Sequence, residues 1–161
     1  MRTNQVPMRV AAGLAAGTLV IVAGILPELR AGLKNSGDKV KVTATATKPD
    51  AAGKQTVTVT FVIDKGWHIY ANPVGNELLA EAKTVVDIKS AGKPEVTLKY
   101  PPGKVFQDKD EKYRVYENKV SVQATVVRTI GDKGPLEVSV RFSACDDKRC
   151  LPEAKRKFTL K

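Results

Sequence analysis

Residues 136–144 read LEVSVRFSA, and this stretch decides the fold class. Every second side chain from Leu136 to Ala144 is apolar, and the positions between them are polar or charged. Alternation with a period of two is typical of a β-strand that buries one face and exposes the other. We therefore predict a strand here, with the even-numbered positions pointing into the core.

The same period recurs along most of the chain after Val40. Alternating stretches occupy 39–47, 56–64 and 119–130, and shorter candidates lie at 67–70, 84–89, 95–100 and 155–160. Combinations of Pro, Gly and Asp separate these stretches and indicate turns. Short strands of this kind, with one weak helical candidate at 76–83, predict an all-β fold, an immunoglobulin-like antiparallel β-sandwich over residues 40–161.

The amino-terminal part of the chain has a different pattern. Arg2 and Arg9 precede residues 10–26 (VAAGLAAGTLVIVAGIL), in which no side chain is charged. A helix of this length would reach about 25 Å, slightly short of the hydrocarbon core of a bilayer. A basic start before an apolar run indicates export, so residues 1–27 are predicted to be a signal peptide or an N-terminal membrane anchor helix. Since a clean Ala-x-Ala cleavage site is absent from the sequence, both alternatives stay open.

Residues 28–39 show no long apolar periodicity and are predicted to be a tether. The positive-inside rule places everything after Pro27 on the far side of the membrane. The expected location is therefore extracytoplasmic, in a bacterial periplasm or cell envelope, where disulfides form and persist. Any membrane contact would run through residues 10–26.

Composition excludes several classes of protein. With 42% hydrophobic residues the chain can bury a core, and two cysteines are too few for a disulfide scaffold or a four-cysteine zinc module. The formal net charge of +10 raises the question of a polyanionic partner, but the basic residues are scattered and only 6% of residues are aromatic. Nucleic-acid binding is therefore not expected.

The candidate chemistry lies directly after the strand quoted above, in residues 145–150 (CDDKRC). Because Cys145 continues the outward phase of that strand, and because the four intervening residues are all charged, we expect both sulfurs on an accessible surface turn. Closing so short a loop would stabilise the fold by only about 2 kcal/mol. A short, exposed disulfide is also readily reduced.

Three uses of the pair stay open: redox exchange, a structural disulfide in a non-catalytic binding or adaptor sandwich, and metal ligation. No metal site is predicted, because His68 is the only other soft ligand. Lys148 and Arg149 favour the thiolate of Cys150, whereas acidic neighbours disfavour that of Cys145. Cys150 is therefore the candidate nucleophile.

A second motif, residues 66–73 (GWHIYANP), combines a lone histidine with aromatic side chains. Trp67 and Ile69 alternate as core residues would, and His68 and Tyr70 share the opposite face. Such a histidine is commonly a half-buried packing residue. If its face turns toward the cysteines, His68 and Tyr70 would shape access to the thiols or hydrogen-bond a thiolate.

Three motifs together resemble the amino-terminal domain of DsbD-type thiol:disulfide interchange proteins, in the same order: residues 66–70 (GWHIY), 100–104 (YPPGK) and 145–152 (CDDKRCLP). The resemblance covers Val40 to Lys161. It implies an immunoglobulin-like periplasmic domain that receives electrons from a membrane-embedded dithiol partner. It further implies that the domain passes them to oxidised exported proteins, thioredoxin-like or otherwise disulfide-containing, as a component of a protein-disulfide reductase. The redox-active disulfide is the only cofactor implied.

Carried over by position, Cys150 would form mixed disulfides and Cys145 would resolve them. His68 and Tyr70 match aromatic positions near the family's cysteines, and Asp108 matches an acidic residue of the loop that caps them.

Two features depart from the family. Its best-known members have an aromatic residue at the tip of the cap loop, where this chain has the polar stretch 107–112 (QDKDEK), so Phe106 and Tyr113 are the candidate cap residues. The family's full-length proteins continue into a membrane domain and a thioredoxin-like domain. Because this sequence stops at Lys161, we expect the electron donor to be a separate protein.

Overall fold

The structure, a computed structural model, describes residues 34–108, 111–129 and 131–161. These residues belong to one of two compact units of the chain, Gly32–Lys161; the predicted signal or anchor segment falls in the other unit and lies outside the described residues. No helix among the residues described is long and apolar enough to span a bilayer.

The described part of the chain is built almost entirely of strands, in the order β1 (Val40–Ala46), β2 (Lys54–Ile63), β3 (His68–Tyr70), β4 (Val85–Lys89), β5 (Glu95–Lys99), β6 (Lys104–Asp108), β7 (Glu111–Glu117), β8 (Lys119–Val127), β9 (Leu136–Phe142), β10 (Ala144–Cys145) and β11 (Ala154–Leu160). Two short 3-10 helices span Ser36–Asp38 and Glu77–Ala82. The second lies within residues 76–83, the stretch that the sequence marks as a weak helical candidate.

The strands form three antiparallel sheets, with the orders β1-β2-β8-β5, β11-β9-β4 and β10-β3-β7-β6. The strands β2 and β9 bury alternate side chains, as their sequences predict. The rings of Phe61 in β2 and Phe142 in β9 meet edge to face, with 5.8 Å between centroids. Their contact joins two sheets across the core, and the predicted all-β antiparallel fold is confirmed.

Residues 36–38, within the segment predicted to be a tether, pack against the domain. The Asn35 side chain accepts a hydrogen bond from the Gly37 amide at 2.8 Å, and the Asp38 carboxylate accepts one from the Asn35 amide at 3.0 Å. This reciprocal capping closes the 3-10 turn. Ser36, inside the turn, has no exposed surface.

Candidate functional site

The two cysteines face each other at the neck of a hairpin and form a disulfide. Cys145 and Cys150 are antiparallel partners, with their Cα atoms 4.0 Å apart and an S–S bond of 2.01 Å. Just outside the pair, the Leu151 amide donates to the Ala144 carbonyl at 2.8 Å. Residues 144–151 are called the cysteine hairpin below.

Asp146 organises the charged turn of the cysteine hairpin. Its Oδ1 accepts hydrogen bonds from the amides of Lys148 and Arg149, at 2.8 and 2.9 Å, and its own amide donates to the Arg149 carbonyl at 2.9 Å. The hydrogen bond from Lys148, helped by that from Arg149 and by both cationic side chains, holds the pKa of the Asp146 carboxyl below its ordinary value. A fixed negative charge therefore lies next to Cys145.

The two cysteines differ in solvent exposure. The alternating pattern predicts that both are accessible, and for Cys145 this is wrong: it is only 2% exposed, whereas Cys150 is exposed. The reason is that β9 ends at Phe142 and the chain then changes sheets, because β10 pairs with β3. Ala144 and Cys145 are consequently both covered, and the alternation of β9 does not continue through them.

His68 lies directly across the sheet from the buried cysteine. It is the register partner of Cys145 on one side and of Glu117 in β7 on the other, and it is 7% exposed. Burial lowers the pKa of the imidazole below 6.5, and the carboxylates of Glu117, Asp147 and Asp146 partly oppose this. The folded protein therefore favours the neutral imidazole.

Four rings form an aromatic wall beside the disulfide: His68, Tyr70, Phe106 and Tyr113. The His68 and Phe106 rings stack at 5.7 Å, and Tyr113 lies 5.3 Å from Phe106 and 5.7 Å from Tyr70. Tyr70 Oη is 3.9 Å from Cys150 Sγ. Because burial and the Glu111 carboxylate raise the pKa of Tyr70, its phenol remains protonated and can donate to sulfur.

The segment before β6 determines where the hairpin of β6 and β7 lies. A Cβ on Gly103 would come within 2.5 Å of Ala71 Cβ and 2.8 Å of Arg114 Cβ, so the close approach requires glycine. Tyr116 Oη donates to the Pro101 carbonyl at 3.0 Å. These contacts hold β6 and β7 next to β3, with their aromatic side chains toward the cysteines.

The aromatic wall and the cysteine hairpin line a cleft of about 440 Å³ that is open to solvent. Lys148 and Arg149 line it on the hairpin side, and the candidate cap residues Phe106 and Tyr113 line it from the stem of the β6–β7 hairpin, where they are register partners. Asp108 ends β6, and its side chain, like the tip of this hairpin, lies outside the described residues. The roles of these residues stay predictions.

Two other observations complete the site. Ile69 is buried as predicted, whereas Trp67 is only half-buried against the core, with Lys39 Nζ 5.5 Å from its ring centroid. In the described ranges, no three His, Cys, Asp or Glu side chains are grouped to hold a metal ion.

Ser36, whose hydroxyl contacts the backbone on both sides of the cysteines, is not among the residues that the sequence predicts for the site. Apolar periodicity cannot reveal a contact made by one hydroxyl. The only local signal was the capping pattern of Asn35 and Asp38, which indicates an ordered turn but not where it packs.

The described domain thus carries a solvent-reachable disulfide in an aromatic cleft, an arrangement suited to thiol–disulfide exchange. The family model described as thiol:disulfide interchange protein DsbD, N-terminal, matches residues 38–161. The chain therefore belongs to this family, and its two cysteines, Cys145 and Cys150, form a disulfide.

Solved structures show the same fold. The N-terminal periplasmic domain of ScsB from Proteus mirabilis is similar with a TM-score of 0.59 and 17% identity, over 79% of this chain and 51% of that one. The DsbD N-terminal domain of Neisseria meningitidis in its reduced form is similar with a TM-score of 0.54 and 19% identity, over 79% and 88%. The chain thus spans about half the length of the ScsB structure. No curated protein gives a significant sequence match.

The burial of His68 leads to a prediction on pH. The oxidised protein is expected to lose stability as the pH falls from about 7.5 to about 5.5, because the unfolded chain binds a proton near pH 6.5 while the folded imidazole resists it. This contribution is fully present well above pH 6.5 and is lost as the pH falls through 6.5 toward the lowered pKa of the folded imidazole. His68 is the only histidine, and both cysteines are in the disulfide, so neither another imidazole nor a thiol contributes.

Urea unfolding at several pH values measures this effect. His68→Phe keeps a ring that can stack on Phe106 but cannot titrate, so its unfolding midpoint should change less over the same range. Equal pH dependence in the wild type and His68→Phe would contradict the assignment.

Proposed function

We propose that the domain relays electrons in the periplasm or cell envelope. It would receive two electrons from a membrane-embedded dithiol partner and pass them to thioredoxin-like or other disulfide-containing exported proteins. The observation that carries the proposal is the unequal exposure of the two cysteines, because it gives a partner access to Cys150 but not to Cys145.

In the first half-reaction, a donor thiolate attacks Cys150 Sγ. The Cys145–Cys150 bond breaks, Cys145 leaves as a thiolate, and a mixed disulfide forms between the donor and Cys150. The donor's second thiolate then attacks the donor's first sulfur, which is bound to Cys150, and releases Cys150 as a thiolate. The donor is oxidised to a disulfide, and the domain gains two electrons, with protons taken from solvent.

In the second half-reaction, the Cys150 thiolate attacks the disulfide of an acceptor. One acceptor sulfur leaves as a thiolate, and Cys145 then attacks Cys150 Sγ to release the other. The acceptor is reduced, and the Cys145–Cys150 disulfide forms again. Each step exchanges one S–S bond for another, so no further oxidant or reductant is required.

The charges of the cysteine hairpin support this division of roles. Lys148 and Arg149 precede Cys150 and favour its thiolate, whereas the ionised Asp146 next to Cys145 disfavours a second negative charge there. Tyr70, whose hydroxyl lies near Cys150 Sγ, can donate a hydrogen bond to the thiolate. The attacking thiol, Cys150, is therefore stabilised as a thiolate, whereas the resolving thiol, Cys145, is disfavoured as one.

The extracytoplasmic location rests on the export pattern of residues 1–27 and on the family. The similar domain of ScsB is described as periplasmic. The disulfide-containing acceptors of such a relay form and persist outside the cytoplasm.

A direct test mixes the reduced domain with an oxidised thioredoxin-like domain, followed by acid quenching and mass measurement. We expect the domain to lose two hydrogens as the partner gains two, faster than with the same concentration of glutathione disulfide. The control is the double variant Cys145→Ser/Cys150→Ser, which cannot exchange. A wild type that exchanges no faster with the protein partner than with glutathione would contradict the relay.

A further inference from the structure

Ser36 is far from the cysteines in sequence, yet it ties together the two chain segments that carry them. Its Oγ accepts a hydrogen bond from the Ala144 amide at 2.8 Å and donates one to the Pro152 carbonyl at 2.8 Å. Its own amide donates to the same carbonyl at 3.0 Å. Ala144 immediately precedes Cys145, and Pro152 follows Cys150 by two residues, so the chain entering the cysteine hairpin and the chain leaving it meet at one serine.

The hydrogen bond between the Ala144 amide and Ser36 Oγ is buried, whereas the one to the Pro152 carbonyl is partly buried. Ser36 and Ala144 both have no exposed surface. A buried amide that loses its acceptor cannot turn to water without local opening, so the loss costs more than that of a surface hydrogen bond. The serine therefore constrains the hairpin independently of the disulfide.

We propose that Ser36 is a positioning residue for the exchange reaction, which keeps the two cysteine-bearing strands at bonding distance once the disulfide is broken. The inference rests on the exchange proposed above, because only a pair that opens and closes needs such a constraint. In the reduced protein the covalent link is gone, and the neck is held by backbone hydrogen bonds and by Ser36. Holding the thiols together raises their effective concentration toward each other.

The constraint has two measurable consequences. It favours the closed disulfide over two free thiols, and it favours attack by Cys145 on a mixed disulfide at Cys150. It does not change the first attack on Cys150, because none of the hydrogen bonds of Ser36 involves the sulfur of that residue.

The experiment equilibrates wild type and Ser36→Ala in glutathione buffers of known ratio, followed by acid quenching and mass measurement. We expect the equilibrium constant for closing the disulfide to fall about three- to tenfold, which makes the potential about 15 to 30 mV more positive. The fraction of protein with glutathione on Cys150 should rise by a similar factor. The rate at which glutathione first attacks the disulfide should stay within about twofold.

Two variants accompany Ser36→Ala. Ser121→Ala removes another hydroxyl contact, with Thr60 Oγ1 at 2.9 Å on β2, and should leave the equilibrium constant unchanged. Asn35→Ala removes the cap of the 3-10 turn without touching the hairpin, and should shift the constant in the same direction by about two- to threefold, even if Ser36→Ala does not fold.

The inference is overturned if Ser36→Ala, or Asn35→Ala in its place, closes its disulfide as readily as Ser121→Ala. That result would leave the relay intact, provided that the wild type still exchanges with the thioredoxin-like domain. A wild type that fails to exchange would instead overturn the proposed function.

Discussion

Cys145→Ser is expected to accumulate a mixed disulfide when its reduced form meets an oxidised partner, whereas Cys150→Ser is expected to form almost none. The exposed Cys150 can reach the partner's sulfur, and without Cys145 nothing in the domain resolves the product. In Cys150→Ser the remaining thiol is 2% exposed and lies beside the ionised Asp146, so both access and thiolate formation are poor. We expect at least about a tenfold difference in the rate of complex formation.

Quenched samples on non-reducing gels, with mass measurement of the trapped species, give both rates. Urea unfolding of each variant serves as the control, because a hairpin that has opened would expose Cys145 in Cys150→Ser. Equal trapping by two folded variants would contradict the assignment of the attacking thiol.

Phe142→Ala is expected to destabilise the domain by about 3 to 5 kcal/mol. The ring is 1% exposed and meets Phe61 edge to face across the core, so its removal deletes buried apolar area and leaves a cavity. Urea unfolding of the oxidised proteins measures the change. Val62→Ala in β2 is the matched control: its side chain is 45% exposed, so its loss should cost less than about 1 kcal/mol. A Phe142→Ala variant that unfolds at the same midpoint as Val62→Ala would contradict the packing of the sheets.

The strands of the sandwich could be predicted because their burial depends on a local pattern. In β9, as in β2 and β8, the side-chain period of two assigns each residue to one face without knowledge of the partner strand. The cysteine motif was equally local, since the order of charges and thiols is visible in the sequence alone.

The hairpin of β6 and β7 was not predicted, although it carries Phe106 and Tyr113. Its sequence is mostly polar and interrupts any alternation, and its strands are held by pairing with β3 and by the close approach at Gly103. Contacts of this kind depend on which strands become neighbours, and no local pattern encodes that.

The burial of Cys145 and the position of Ser36 were missed for the same reason. The sequence shows where β9 alternates, but the change of sheet after Phe142 depends on pairing between β10 and β3, about 75 residues apart. The contact of Ser36 with Ala144 and Pro152 is likewise long-range. The candidate residues were therefore identified, but their unequal access was not.

The reduction potential of the Cys145–Cys150 pair tests the central claim most directly. It is obtained by equilibrating the domain with thiol buffers or with a thioredoxin-type protein, and measuring the oxidised fraction after acid quenching. A disulfide that serves in exchange should have a potential above about −300 mV, so that thioredoxin-type dithiols reduce it readily. A potential well below about −300 mV, with no reduction by such dithiols, would show a structural disulfide in a binding or adaptor domain and would contradict the exchange function.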